Sequence, residues 1–265
     1  MANHIGVIGA GVMGEALIAA LIRSGVNPAD ISFAEKRKER AEELSARYSI
    51  QHQELTVVAA SSSTLLLVVK PQDMANTLAD LAPHIAESTL VISFAAGKTI
   101  ASIAAGLGKA NPIVRVMPNT PALIGKGASG YSLGAGVTDE QKSFVSDFLA
   151  ATGKAIEVPE VLQDSVTATS GSGPAYFFAF VEAMVEGAVA LGLSPEDATL
   201  LTIQTIVGAA ALLDQSGDSP TTLREKVTSP NGTTAAALAS FADSDLKSTV
   251  ATAMAAAAKR SQELA

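Results

Sequence analysis

Residues 4–14 read HIGVIGAGVMG, a short apolar run closed by glycines at positions 9, 11 and 14. An apolar helical pattern follows and stops at Gly25, a common left-handed helix end. Strand, glycine turn and helix together form the context in which G-x-G-x-x-G binds a dinucleotide. Gly9 permits the tight turn, Gly11 lets a pyrophosphate approach the backbone, and Gly14 lets helix and strand pack closely. The helix start at Val12 and Met13 then offers N–H groups to the anion. A merely structural turn would need the same three glycines but not the acid that closes the second strand.

That acid is Glu35, which follows a strand over residues 31–34, 21 residues after Gly14. A carboxylate there can accept from the ribose 2′-OH of NAD(H). Lys36 and Arg37 come next and can hold a 2′-phosphate, Arg most effectively. Lys38 and Arg40 read as the solvated face of a charged helix. The expectation is a site for NADP(H) that also takes NAD(H).

The strand–helix alternation then repeats. Apolar strands over 65–69, 90–94 and 113–116 alternate with helices over 73–81 and 100–107, which argues for a parallel sheet covered on both faces. Residues 128–133 and 155–158 read as edge strands around a helix over 140–151. Beyond residue 161 strand signal stops. Helical segments span 175–191, 195–215, 235–242 and 246–263, with Ser194 as cap and Pro195 as first residue of the second. The expected fold class is an α/β Rossmann-type NAD(P)-binding domain, residues 1–160, followed by an all-helical domain, residues 161–265.

With no Trp and aromatics at 4%, the core must be built from Ala, Val, Leu and Ile. Helices apolar around most of their circumference need cover on all sides. Either they lie at the centre of a bundle or a second chain covers them. The scarcity of polar surface over 175–189 favours the second chain.

Composition excludes several other functions. A net charge of −8 disfavours nonspecific nucleic-acid binding. The absence of Cys removes disulfides, thiolate nucleophiles and cysteine metal sites. His4, His52 and His84 are scattered without ligand spacing, so no metal site is expected. The start lacks the basic region of a signal peptide. Glu182 and Glu186 interrupt the longest apolar stretch, so no membrane association is expected. A cytoplasmic protein is the reading.

In an open parallel sheet, ligands bind beyond the carboxyl ends of the strands. Three segments fall there: VVKPQ (68–72), SFAAG (93–97) and RVMPNTP (115–121). Their small residues, amides and prolines suit the passage of a nicotinamide ribose. Asn119 and Thr120 also have a simpler reading as turn and cap residues, and Lys70 reads as an exposed turn lysine. In the helical half, SGSGPAY (170–176) and VTSPNGTT (227–234) place hydroxyls and bare N–H groups at expected helix starts, where carboxylates bind well. Ordinary N-capping accounts for one Ser or Thr in each. Tyr176, inside an apolar run, reads as packing.

Taken together, GAGVMG, VKPQ, SFAAG, RVMPNTP, SGSGPAYFF, Gln204-Thr205, LREKVTSPNGTT and the late KRSQEL resemble the pyrroline-5-carboxylate reductase family over nearly the whole length and in that family's order. One departure is Asn231, where the family usually has Gly or Ala. Asn tolerates left-handed backbone, and Gly232 is retained. The resemblance implies a helical dimerisation domain, an intertwined homodimer with active sites between subunits, and in some members a larger ring of dimers. It implies reduction of L-1-pyrroline-5-carboxylate to L-proline, the last step of proline biosynthesis. The position that contacts the substrate amine falls on Thr234, the carboxylate positions on Ser229 and the backbone of Thr233 and Thr234, and Gly232 belongs to the same substrate-binding loop. The cofactor side is expected to involve Val68, Val69, Lys70, Pro71, Ala95, Ala96, Gly97 and Asn119.

Such a reaction needs little acid–base machinery if solvent protonates the imine, and no general acid is assigned. The alternatives are a reductase of another small imine, a 3-hydroxy acid dehydrogenase, or a non-catalytic dinucleotide sensor. The second typically uses a lysine in its helical domain, and none of Lys226, Lys247 and Lys259 sits in an obvious catalytic motif.

Overall fold

A computed structural model of the chain describes residues 4–264. Two compact units emerge: residues up to Pro174 together with those from Ala256 onward, and Ala175–Ala255.

The first unit is built on an eight-stranded sheet in the order β3-β2-β1-β4-β5-β6-β7-β8. Its strands are β1 (Ile5–Ile8), β2 (Ile31–Ala34), β3 (Gln51–His52), β4 (Thr64–Leu67), β5 (Leu90–Ser93), β6 (Ile113–Met117), β7 (Gly127–Leu133) and β8 (Gly153–Glu157). The first six pair in parallel. The connecting helices are α1 (Val12–Arg23), α2 (Lys38–Tyr48), α3 (Leu55–Ser61), α4 (Met74–Leu81), α5 (Ile100–Leu107) and α6 (Asp139–Ala150). Strand order reverses between β1 and β4, which opens the crevice where such sheets bind dinucleotides.

Alternation of side chains along each strand builds two cores. Leu66 and Ile92 join Leu17, Leu21, Leu44 and Phe148 of α1, α2 and α6 on one face. Leu65, Leu67 and Val91 join Val58, Leu78 and Ile103 of α3, α4 and α5 on the other. The near-continuous apolar strands of the sequence reflect this double burial.

The strands from which the sequence predicts a parallel sheet are parallel, and the direction changes only at the edge strands, for which it sets none. β7 runs antiparallel to β6, and β8 pairs in parallel with β7. A 3-10 turn over Thr120–Ile124, ended by left-handed Gly125, reverses the chain between β6 and β7, so no crossover helix is needed. The short α3 and β3 carry too few residues for a periodic signal and were not expected from sequence.

α7 (Gln163–Val166) leads into a π-helical turn, Thr167–Gly171, and then α8 (Gly173–Ala190). The second unit holds the rest of α8, α9 (Pro195–Gln215), α10 (Pro220–Lys226), α11 (Thr233–Asp243) and most of α12 (Leu246–Glu263). Ser194 caps α9 through the Asp197 N–H, and Pro195 takes its first position. The unit leaves a large apolar surface: Phe177 and Phe178 are each 62% exposed, Leu200 66% and Leu191 90%. α9 is long and apolar enough to cross a membrane by length and composition alone.

Candidate functional site

The glycine turn has the geometry that each glycine implies. Gly9 adopts φ +90°, a left-handed value, and a Cβ there would lie 2.7 Å from the Val68 carbonyl oxygen. A Cβ on Gly14 would lie 2.3 Å from the Gly9 carbonyl oxygen. A Cβ on Gly11 would meet nothing within 4 Å, so the surface above this residue is open. α1 begins just after Gly11 with no side-chain cap, and Val12 is exposed. An uncapped helix start beneath open backbone is the cradle a pyrophosphate fits.

The acid and bases beyond β2 hold one another and the turn. Glu35 accepts from the Ala10 N–H at 3.2 Å, the Arg37 N–H at 3.0 Å and Arg37 Nε at 3.0 Å. Burial pushes the Glu35 carboxyl up, but the Arg37 and Ala10 bonds outweigh it and hold it below the usual carboxylate range. Its sequence-expected role as a ribose reader therefore competes with a role as a clamp on the turn. Arg37 is 64% exposed along its side chain and paired with Glu35 alone among the described acids, so an incoming 2′-phosphate can recruit its guanidinium. Lys36 stands beside it, exposed.

Arg40 corrects the sequence reading. It is not on a solvated face: its side chain is only 16% exposed and bonds Glu15, Glu43 and the Ala10 carbonyl. Lys38 is solvated as expected, at 89% exposure. Spacing within α2 could not separate the two, because two of Arg40's three partners, Glu15 and Ala10, lie on α1 and in the glycine turn.

The other strand ends fall at the same edge of the sheet. Val68, Val69, Lys70 and Pro71 follow β4, and Ala95, Ala96 and Gly97 follow β5. The Val68 N–H bonds the Ile8 carbonyl, tying this segment to β1. Gly97 has φ +74°, and a Cβ there would lie 2.7 Å from the Leu264 Cβ and 2.9 Å from the Ser261 carbonyl oxygen. The last turn of the chain thus covers the SFAAG segment. Ser261 donates to Asp164 at 2.7 Å, and Asp164 lies 3.8 Å from Arg115, which is buried after β6 begins.

Asn119 is 8% exposed. Its Nδ2 donates to the Ser170 carbonyl at 3.0 Å and its Oδ1 accepts from the Ala128 N–H at 2.9 Å. The side chain expected on the nicotinamide side is thus already a brace between the end of β6, the start of β7 and the π turn.

The SGSGPAY run answers differently from the expectation. α8 does start inside it, at Gly173, but directly out of helical turns rather than out of a loop. The chain arrives already helical through α7, and the Ser172 N–H bonds the Thr167 carbonyl across the π turn at 2.8 Å. The Ser172 amide is therefore already taken and not free for a carboxylate. Pro174 has no N–H to give the carbonyl four residues earlier, and that carbonyl, Ser170, is the one Asn119 holds. Gly171 makes room for Met117, whose Cε would be 2.5 Å from an added Cβ. π turns of this kind recur at functional sites.

In the helical unit, VTSPNGTT is a helix start. Asn231 has φ +61°, in the region where Asn is among the better-tolerated residues. Gly232 is the N-cap of α11 and supplies no side-chain cap. Thr233 and Thr234 are the first two helical residues, Thr234 half-buried. A Cβ on Gly232 would lie 2.5 Å from Ser229 Oγ, so this hydroxyl sits against the open helix start. Ser229, Gly232, Thr233 and Thr234 are therefore brought together: one hydroxyl, unclaimed first-turn N–H groups and a second hydroxyl. The positive end of a helix dipole and convergent donors suit a small carboxylate. Among the described residues no cluster of three or more His, Cys, Asp or Glu could hold a metal ion.

Residues 160–264 match the family model described as pyrroline-5-carboxylate reductase dimerisation. Residues 4–97 match the model described as NADP oxidoreductase, coenzyme F420-dependent. The pyrroline-5-carboxylate reductase of Pseudomonas aeruginosa is 43% identical over 264 residues, covering 99% of this chain and 97% of that one. The structure of a pyrroline-5-carboxylate reductase from Coxiella burnetii superposes with a TM-score of 0.92 at 35% identity, over 100% of this chain and 99% of that one. The Plasmodium falciparum pyrroline carboxylate reductase, solved with NADP bound, gives a TM-score of 0.89 at 30% identity, over 99% and 98%. Identity of this order across both the glycine-turn sheet and the helical unit establishes that the chain belongs to the pyrroline-5-carboxylate reductase family.

Proposed function

We propose that the protein reduces L-1-pyrroline-5-carboxylate to L-proline with NADP(H) as its main cofactor and NAD(H) as a second, in the last step of proline biosynthesis. The observation that carries this reading is the α11 start: an uncapped helix N-terminus with Ser229 Oγ against it and Thr234 in its first turn. It fits a small carboxylate with a ring nitrogen beside it. The same chain holds a second anion cradle at Gly11, Val12 and Met13, suited to a pyrophosphate.

The residues divide the work. Ser229 and the N–H groups of Thr233 and Thr234 hold the carboxylate, and Gly232 leaves space for the Ser229 hydroxyl. The Thr234 hydroxyl accepts from the ring N–H of the protonated imine and orients C5. Gly9, Gly11 and Gly14 shape the pyrophosphate turn, with Lys36 and Arg37 toward a 2′-phosphate. Val68–Pro71 and Ala95–Gly97 line the nicotinamide side, where Asn119 braces the neighbouring turn. Bound there, the reduced nicotinamide supplies the hydride that C5 receives. The C=N π pair moves to nitrogen, which is why a protonated imine reacts without a strong side-chain acid. Placement and electrostatics are the protein's contribution.

In this reading residues 1–160 serve as the dinucleotide-binding domain and 161–265 as the dimerisation and substrate-binding domain. The exposed apolar residues of α8 and α9, including Phe177, Phe178, Leu200 and Leu201, support self-association into a homodimer. Sedimentation velocity distinguishes a pair from a larger ring of pairs, and a purely monomeric species refutes the assignment. Neither a nucleic-acid nor a membrane partner is invoked, and a cytoplasmic location is assigned. The test of function follows oxidation of NADPH and NADH by absorbance with synthetic pyrroline-5-carboxylate. Substrate-dependent oxidation, faster with NADPH, is expected. Cofactor binding without turnover on this imine refutes the reading in favour of another cyclic imine or a sensor.

A further inference from the structure

Two acids flank the turn assigned above to the pyrophosphate, and each is held by arginine. Glu35 is held by Arg37. Glu15 lies in the first turn of α1, and its N–H bonds the Gly11 carbonyl. A carboxylate at this place competes with a bound anion for the same helix end. It is surrounded: Arg40, Arg47 and the Tyr48 hydroxyl all donate to it. Glu43 closes the group, accepting from Arg40 at 2.7 Å and from Arg47 at 2.7 Å. The four charges form a neutral square behind the turn. Arg40 alone reaches the turn itself, donating from Nε to the Ala10 carbonyl at 3.3 Å. The preceding N–H, that of Ala10, is held by Glu35. Both polar atoms of Ala10, at the crest of the turn, are thus held by residues on or just before α2.

We propose that Arg40 is a positioning residue for cofactor binding: it neutralises Glu15 beside the pyrophosphate cradle and fixes the Ala10 carbonyl, so that the turn accepts any dinucleotide without regard to the 2′-phosphate. The inference rests on the dinucleotide reading and adds to it a division of labour. Arg37 discriminates between cofactors, whereas Arg40 serves both. Arg40 is not itself a phosphate ligand, because its donors are committed to Glu15, Glu43 and Ala10.

The test is a titration of the full chain at one ionic strength, with NADPH and NADH read from the nicotinamide emission and ADP read by its displacement of NADPH. Arg40→Met is expected to weaken all three by about tenfold, the scale of a lost charge-assisted contact. The double variant Arg40→Met with Glu15→Gln is expected to recover most of that loss, since no uncompensated carboxylate then faces the anion. A merely structural arginine would lower thermal stability without this recovery. Arg40→Lys keeps the charge but cannot span the same three partners, and serves if Arg40→Met fails to fold. It is expected to weaken all three ligands by about threefold. Wild-type affinity in either folded variant overturns the inference, as does loss of NADPH binding with NADH binding kept. If the wild-type protein binds none of the three, the dinucleotide reading fails as well, and that result is distinct from a failure confined to the variants.

Discussion

Replacing Asn119 with alanine separates a brace from a cofactor contact. The side chain makes two bonds, Nδ2 to the Ser170 carbonyl at 3.0 Å and Oδ1 from the Ala128 N–H at 2.9 Å. At about 1 kcal/mol net for each bond, the variant loses about 2 kcal/mol. If both partners were sealed from water, each stranded group would cost up to about 3 kcal/mol. Ser170 and Ala128 are both half-buried, so water reaches them and the lower figure holds. For a unit of this size, about 2 kcal/mol lowers Tm by about 4–8 °C. Asn119→Asp should do no better, because it sets a carboxylate oxygen against the Ser170 carbonyl. Thermal unfolding followed by circular dichroism measures the loss. NADPH titration well below Tm measures binding. A Tm unchanged from wild type with a tenfold weaker NADPH affinity would refute the brace and return Asn119 to the nicotinamide.

Thr234→Ala is expected to lower kcat/KM for the imine by about tenfold or more, the scale of one hydrogen bond to a charged group, with NADPH affinity kept; unchanged steady-state kinetics would remove Thr234 from its role. Gly14→Ala drives a Cβ to 2.3 Å from a backbone oxygen and should weaken NADPH by about 10–100-fold through distortion of the turn. Gly11→Ala meets no atom within 4 Å, so its Tm should stay near wild type while NADPH binding falls; a lowered Tm would show that Gly11 is structural. Burial pushes the Glu15 carboxyl up, but bonds from Arg40, Tyr48 and Arg47 hold it below the usual range. Its stabilising contribution is therefore complete above the unfolded-state value and disappears as pH falls through the lowered folded value. Urea midpoints should favour wild type over Glu15→Gln at neutral pH and converge as pH falls below the ordinary carboxylate range, and a gap independent of pH would contradict the ion-pair account.

The sequence alone determined the alternating sheet, the glycine turn, the change to helices after residue 161 and the α11 start. These are local signals: apolar period, glycine spacing and the Ser194–Pro195 cap depend on neighbours a few residues away. The helical spans 100–107, 195–215 and 246–263 that the sequence predicts coincide with the observed α5, α9 and α12. Asn231 at positive φ was also readable, since backbone preference belongs to the residue itself.

Only tertiary structure decided the rest. The direction of β7 depends on pairing with β6, not on its own alternation. Arg40 and Lys38 are alike in sequence, yet one is clamped between Glu15 and Ala10, and the other is solvated. Asn119 finds Ser170 51 positions away, and the π turn that presents that carbonyl, just before α8 begins, has no signal along the chain. In each case the deciding partner lies far away in sequence, and a side chain's role is set by which donors and acceptors the fold brings within hydrogen-bonding distance of it.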